Sequence, residues 1–221
     1  MKPQVVLHMA LAPGQTDRLL ALQQVFAQAC NHLSPIVQQT RCWNRVALHH
    51  MAYRELRDRF PALGSQMACN VIYSVSRTCR ALFQSRSSPY ALHKLGNGPL
   101  PRLLFLPQSP VYFDRHTLSL KDGRISMYTL DGRIRFAARL QPHQDELFRQ
   151  SRLREVVMSG TGSNLSLTFY FDAAQAAADA GPDEGHALAG ELPEYVMVVD
   201  TPPPGPAEAV EPPTARRALF R

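Results

Sequence analysis

The stretch KDGRISMYTLDGRIRFA, residues 121–137, decides the fold class. It contains one motif twice, Asp122-Gly123-Arg124-Ile125 and Asp131-Gly132-Arg133-Ile134. Ile125-Ser126-Met127-Tyr128 and Ile134-Arg135-Phe136 alternate with period two, which sends successive side chains to opposite faces of a strand. Asp-Gly supplies the left-handed dihedrals of a tight hairpin turn. Two such turns predict a meander of three short strands. Working outward, Tyr112-Phe113 and Leu118-Ser119-Leu120 carry the same texture on the N-terminal side. Arg152 to Met158 and Leu165 to Phe171 predict a second hairpin around Ser159-Gly160-Thr161-Gly162-Ser163-Asn164. A hairpin loop explains that glycine-rich segment better than a phosphate cradle, because it joins two strands and opens no helix. Val5 to Leu11 reads as a further strand, broken by Pro13-Gly14.

Between the first strand and the meander the period changes to that of a helix. Leu19, Leu22, Phe26, Cys30 and Leu33 recur at helical spacing after Thr16 as N-cap and Asp17 in the first turn. Pro35 ends or kinks this helix. A second helix spans about Asn44 to Phe60, with Val46, Met51, Tyr53, Leu56 and Phe60 as its apolar positions, and Pro61 stops it. A third runs from Ser65 to about Phe83 on the stripe Met67, Val71, Val75, Cys79 and Leu82, with Asn70, Arg77 and Arg80 off it. Residues 85–101 read as loop. The fold class expected is α+β. It consists of a small antiparallel β-barrel from residues 1–12 and 100–172, with a helical bundle inserted at 13–99. From Ala173 the chain turns Ala-rich, acidic and then Pro-rich, so 173–221 is expected to be mostly disordered apart from an apolar strand at Glu194 to Asp200.

Charge divides along the same boundary. Residues 1–157 carry 21 Lys and Arg against 9 Asp and Glu, and residues 158–221 carry 3 against 9. Of the 21 basic residues only Lys2, Lys94 and Lys121 are lysine. Arginine presents a planar fork of donors that matches phosphate, which a lysine point charge does not. A basic body of this kind is expected to bind polyanions, since neutralised phosphates release counterions. A solvated arginine surface is the plain alternative.

The residues exclude several other classes. No run of 18 apolar residues predicts a membrane span, and Val5 to Leu11 is too short for a signal peptide, so a cytoplasmic protein with no membrane partner is expected. Cys30, Cys42, Cys69 and Cys79 form no C-x-x-C pair and read as buried reduced thiols, with no metal or cofactor. His49 and His50 are adjacent, hence about 100° apart on a helix, and do not converge on one ion. There is no G-x-G-x-x-G, P-loop, H-E-x-x-H or G-x-S-x-G, and no carboxylate cluster for two-metal phosphoryl chemistry. A non-enzymatic binding surface is expected instead. Arg54, Arg57, Arg77 and Arg80 on helices, and Lys121, Arg124, Arg133, Arg135, Arg152 and Arg154 on strands, interleave with Tyr53, Tyr73, Tyr112 and Tyr128. Arginine beside aromatic rings suits RNA recognition by shape and stacking.

The order strand, helices, barrel strands resembles the N-terminal half of the TnpB-like RNA-guided nucleases, transposon-encoded relatives of the type V CRISPR effectors. Val5–Leu11 with Pro13-Gly14-Gln15-Thr16 looks like the family's opening strand and helix start. Tyr53-Arg54-Glu55-Leu56 through Phe60-Pro61-Ala62-Leu63 resembles its Y-P-x-L junction. Ser65-Gln66, Val71, Arg77 and Ala81-Leu82-Phe83 resemble its S-Q…R-A-F helix. Asp122 to Phe136 and Leu165 to Phe171 resemble its wedge strands. The likeness covers roughly residues 4–172.

The resemblance implies a recognition lobe set in a wedge barrel, holding a guide-RNA scaffold and a guide–target heteroduplex, with guide RNA and target DNA as partners. It implies that Arg77 and Arg80 face nucleic acid and that Arg124, Arg133 and Arg135 touch the scaffold; Gln66 and Tyr73 on the same helix are expected to bind RNA or DNA with them. The family's RuvC core begins on a strand ending Asp-x-Gly. Here Tyr195-Val196-Met197-Val198-Val199-Asp200 has that look, but Thr201-Pro202-Pro203 follows. Asp200 alone does not hold two metal ions, so a nuclease-deficient RNA binder is expected. One alternative is a subunit whose separate partner chain supplies nuclease or effector activity. Another is an adaptor that uses the acidic tail.

Overall fold

The computed structural model describes residues 3–172 and 192–199. Of the expected tail at 173–221, residues 173–191 and 200–221, with the Pro-rich run and Asp200, lie outside the described residues. The chain is a mixed α+β structure. A short strand β1 (Gln4–His8) leads into α1 (Pro13–Thr40), α2 (Arg45–Arg59), a 3-10 turn at Pro61–Leu63, α3 (Gly64–Phe83) and the one-turn α4 (Leu92–Leu95). Strands β2 (Arg102–Phe105), β3 (Val111–Phe113), β4 (Leu118–Lys121), β5 (Arg124–Thr129) and β6 (Gly132–Ala137) follow. After them come α5 (Pro142–Gln150), β7 (Leu153–Ser159), β8 (Ser166–Phe171) and β9 (Val196–Val199).

The strands make three antiparallel sheets among the described residues, ordered β1-β8-β7-β3, β2-β9 and β4-β5-β6. None of the three closes into the single barrel expected from the sequence. In the first sheet Val5, Leu7, Val156, Met158, Val111, Leu167, Phe169 and Phe171 are buried. Phe148 of α5 packs edge-on to Phe169 and Phe171 at 5.1 and 5.0 Å between centroids. Each large apolar side chain withdrawn from water in this way contributes about 1.5–3 kcal/mol. The same core takes in Leu19, Leu22, Phe26 and Leu33 of α1 and the α3 stripe Met67, Val71, Val75, Cys79 and Leu82, as the sequence predicts.

The meander is present with the expected strands, but its two Asp-Gly motifs make different turns. Lys121 pairs with Arg124, so Asp122 (φ 50°) and Gly123 (φ 66°) form a two-residue turn with both residues left-handed. In the second hairpin Thr129 pairs with Gly132, which places Leu130-Asp131 in the loop and Gly132 (φ 98°) on the strand.

Helix α1 differs from expectation at both ends. It starts at Pro13, with Ala12 and not Thr16 as N-cap, because proline suits the first turn and the Gln15 side chain returns to the Ala12 N–H at 3.2 Å. It also runs through Pro35 to Thr40. Side chains on both sides of Pro35 fasten the helix to the backbone of residues 96–105. Asn31 exchanges two bonds with Phe105, donating to its carbonyl at 2.8 Å and accepting from its N–H at 2.7 Å. Ser34 does the same with Leu103 at 2.5 and 3.1 Å, and Gln38 donates to the Leu100 carbonyl at 3.1 Å. Arg41 donates to the Gly98 and Gly96 carbonyls. Positions 31, 34 and 38 share one helix face; Asn31 and Ser34 satisfy the edge of β2 that β9 leaves free, and Gln38 with the C-cap Arg41 holds the segment before it. These bonds outweigh the hydrogen bond that proline removes.

Helix α2 spans the expected residues, with Asn44 accepting from the Val46 and Ala47 N–H groups as N-cap. Its buried stripe is Leu48, Ala52 and Leu56. Val46 and Met51, two of its apolar positions, are 64% and 45% exposed.

Candidate nucleic-acid interface

The meander has one face in the core and one in solvent. Ile125, Met127, Ile134 and Phe136 are buried. Alternation therefore turns Lys121, Arg124, Ser126, Tyr128, Arg133 and Arg135 to the outer face, where Tyr128 and Ser126 are half-buried and the four cations exposed. No Asp or Glu occupies this face of the three strands. The arginines are not equivalent. Arg133 donates to the Ser126 hydroxyl (2.9 Å), the Ser126 carbonyl (2.7 Å) and the His116 carbonyl (3.1 Å), so it braces the sheet. From the other side Arg18 of α1 donates to the Thr129 hydroxyl (2.7 Å) and the Asp131 carbonyl (2.8 Å), holding the second turn.

Tyr128 connects this face to the helices. Its hydroxyl donates to the Ala62 carbonyl at 2.6 Å, and it lies 3.3 Å from where a Cβ on Gly64 (φ 67°) would stand. Gly64 thus meets both a left-handed dihedral and a close approach. Burial pushes the Tyr128 phenol up, against the opposing pull of Arg57. Arg57 itself has its Nη1 buried with no hydrogen-bond partner among the described residues.

Burial raises the Cys69 thiol of α3; Arg45 and Arg57 pull it down and Asp114 pushes it up. Gln66 donates to the Asp114 carboxylate, whose other oxygen accepts from the His116 and Thr117 N–H groups at 3.1 Å each. Arg45 lies over the Tyr73 ring at 5.3 Å, a cation–π distance. On α2, His49 stacks on Tyr53 at 4.5 Å and 17°. Tyr128 therefore joins the basic sheet face to the α2–α3 junction at Ala62 and Gly64, while Gln66 is tied to Asp114 and Tyr73 to Arg45. Arg54 is exposed on α2.

Arg77 stands apart from this surface. Its Nη1 lies 2.6 Å from both Glu155 carboxylate oxygens and 3.3 Å from the Tyr73 hydroxyl, which also donates to Glu155 at 3.0 Å. The side chains of Arg77 and Glu155 are 15% and 9% exposed. Arg77 further covers the Tyr112 ring at 5.5 Å, and Tyr73 meets Tyr112 edge-on at 5.4 Å. Burial alone lowers the Arg77 guanidinium, but Tyr112, Glu155 and Tyr73 outweigh it and the net shift is upward. The expectation that Arg77 faces nucleic acid is corrected on this geometry: it is an interior ion pair, not an open cation. Arg80 and Arg154 are half-buried and have interactions of their own. Arg152 is exposed beside β7, in a different sheet from the meander.

Arg18 and Arg45 were not among the residues the sequence singled out. Their partners are separated from them by long stretches of chain, as in the 111-residue step from Arg18 to Thr129, and no local pattern signals such contacts. Among the described residues no group of three His, Cys, Asp or Glu side chains is placed to share a metal ion, and no helix is long and apolar enough to cross a membrane. No protein-family model matches the chain, and no curated protein matches it.

Proposed function

We propose that this chain is an RNA-binding protein of TnpB-like ancestry. It grips a guide-RNA scaffold through the outer meander face and the adjoining α2–α3 junction, and supports target DNA binding without cleaving on its own. The observation that carries the proposal is an arginine-bearing sheet face whose three strands hold no acidic residue and which Tyr128 joins to the α2–α3 junction at Ala62. A surface of this kind neutralises backbone charge and leaves sequence to base pairing. In this proposal the helices at 13–99 correspond to a recognition lobe, and the strands of 1–12 and 100–172 to a wedge. Cleavage would need acids that the family carries in Asp-x-Gly form and that Asp200-Thr201-Pro202 does not reproduce, so a separate nuclease or effector chain is the partner sought for any cleavage activity.

Purification under native conditions, followed by sequencing of retained RNA at stated salt, is the direct test. One recurrent structured RNA is expected. Recovery free of nucleic acid, with no affinity for structured RNA at low salt, refutes the proposal. Deleting 173–221 is expected to leave RNA binding intact. Loss of a protein contact alone on that deletion favours the adaptor reading.

A further inference from the structure

Lys121, Arg124 and Arg135 lie together on the outer face of the meander, with Asp122 in the turn between the first two. Lys121 and Arg124 are directly opposite across the Asp122-Gly123 turn, where paired Cβ atoms stand about 5 Å apart. The position of Arg135 follows from the sheet's diagonal. Ser126 pairs with Arg135, yet it is Arg133, two residues back from that partner, that bonds Ser126. Arg124 pairs with Ala137, so the same two-residue step brings Arg135 towards Arg124. None of the ion pairs among the described residues includes Lys121, Arg124 or Arg135. Directly opposed like charges destabilise a strand pair, so these residues weaken the free hairpin they occupy. Arg133, Arg18 and Arg77, by contrast, use their donors inside the protein.

We propose that Lys121, Arg124 and Arg135 form a clamp for the sugar–phosphate backbone of duplex RNA, and that the bound phosphates relieve a repulsion built into the free hairpin. This rests on the RNA-binding reading above and adds to it which residues contact RNA and what form of RNA they contact. A duplex fits better than an unpaired strand. The only ring on this face is Tyr128, whose hydroxyl is tied to Ala62, so the face offers no platform on which successive bases stack. Free cations on a flat sheet suit a helix recognised by its backbone.

The test uses the full chain and the variants Lys121→Thr, Arg124→Thr and Arg135→Thr, since threonine keeps the preference for a strand. Arg86→Gln removes an exposed cation that has no place in the proposed surface. The probes are a short blunt-ended RNA duplex and one of its separated strands, read by fluorescence anisotropy over a salt series, with thermal melts in the presence and absence of duplex. Each clamp variant is expected to bind duplex about tenfold more weakly, with a salt slope lower by about 1. Without RNA each is expected to melt no lower than the parent, and to gain less from added duplex. Parent-like affinity in all three, or an equal loss in Arg86→Gln, overturns the clamp and leaves RNA binding standing. Lower melting of the free variants overturns the repulsion. Equal binding of the separated strand overturns the duplex assignment. Failure of the parent protein to bind either probe removes the RNA-binding reading itself.

Discussion

Replacing Arg77 with alanine tests the division between interior and surface arginines most sharply. The substitution removes both contacts to the Glu155 oxygens at 2.6 Å and the cover over Tyr112, and leaves a carboxylate that is 9% exposed with one remaining bond, from Tyr73. Removing one partner of a buried pair costs about 3–5 kcal/mol, most of it from stranding the other charge. With a urea m-value of about 2–3 kcal/mol/M for a chain of this size, the denaturation midpoint is expected to fall by roughly 1–2.5 M. The double variant Arg77→Met with Glu155→Leu removes both charges, and is expected to recover most of that loss because well-packed apolar replacements of buried pairs are often neutral. Urea unfolding followed by circular dichroism at neutral pH gives all the midpoints of this cycle. If Arg77→Ala is displaced by less than about 0.3 M and yet loses RNA affinity, Arg77 is a surface ligand and the interior assignment is wrong.

Other outcomes follow from single features. Gly160→Ala is expected to disrupt the β7–β8 hairpin, since its Cβ would fall 2.0 Å from the Asn164 carbonyl oxygen at φ 108°. Gly123→Ala meets nothing within 4 Å and is expected to cost only about 1–2 kcal/mol for its left-handed dihedral, so thermal melts should separate the two widely. Asn31→Ala strands the N–H and carbonyl of Phe105 and is expected to cost about 1–3 kcal/mol for each group left unpaired, measured by the same melts. Stability is expected to fall at alkaline pH. Burial raises the Cys30 and Cys79 thiols from an ordinary value of 9.0, and the Tyr112 and Tyr195 phenols from 10.0. Groups raised on folding retain protons that the unfolded chain has released, so their contribution is complete below the unfolded value and is lost as pH rises beyond it. The urea midpoint should therefore decline from about pH 9 and more steeply above pH 10, and Tyr112→Phe should flatten the second phase. A midpoint constant to pH 11 contradicts the burial of these groups.

Legibility in the sequence followed the range of the interactions. The meander was readable because its evidence, period-two alternation and Asp-Gly turns, lies within the 17 residues 121–137. The stripes of α1 and α3 were readable for the same reason. Strand β2 was not, since RLLF is four residues long and takes its partners from α1 and from β9. The continuation of α1 past Pro35 has the same cause: a local helix-breaking rule is overridden by bonds to residues 96–105. The exposure of Val46 and Met51 was not readable, because an apolar residue on a helix does not reveal whether a neighbour covers it. The candidate surface divides likewise. The outward cations of the meander follow from strand parity alone, whereas the burial of Arg77 depends on Glu155, 78 residues further on, which no spacing reveals.

The polar stripe of α1 has a consequence for how the molecule is assembled. During synthesis residues 13–105 emerge well before Val196–Val199. Asn31 and Ser34 can engage the Leu103 and Phe105 main chain as soon as those residues leave the ribosome, so β2 is held extended by a helix while its strand partner is still unmade. The first pairing of this sheet is then a docking of β9 onto a prearranged edge, and not a search by two unstructured segments. Because α1 already occupies the opposite edge, β9 has one side of β2 on which to add.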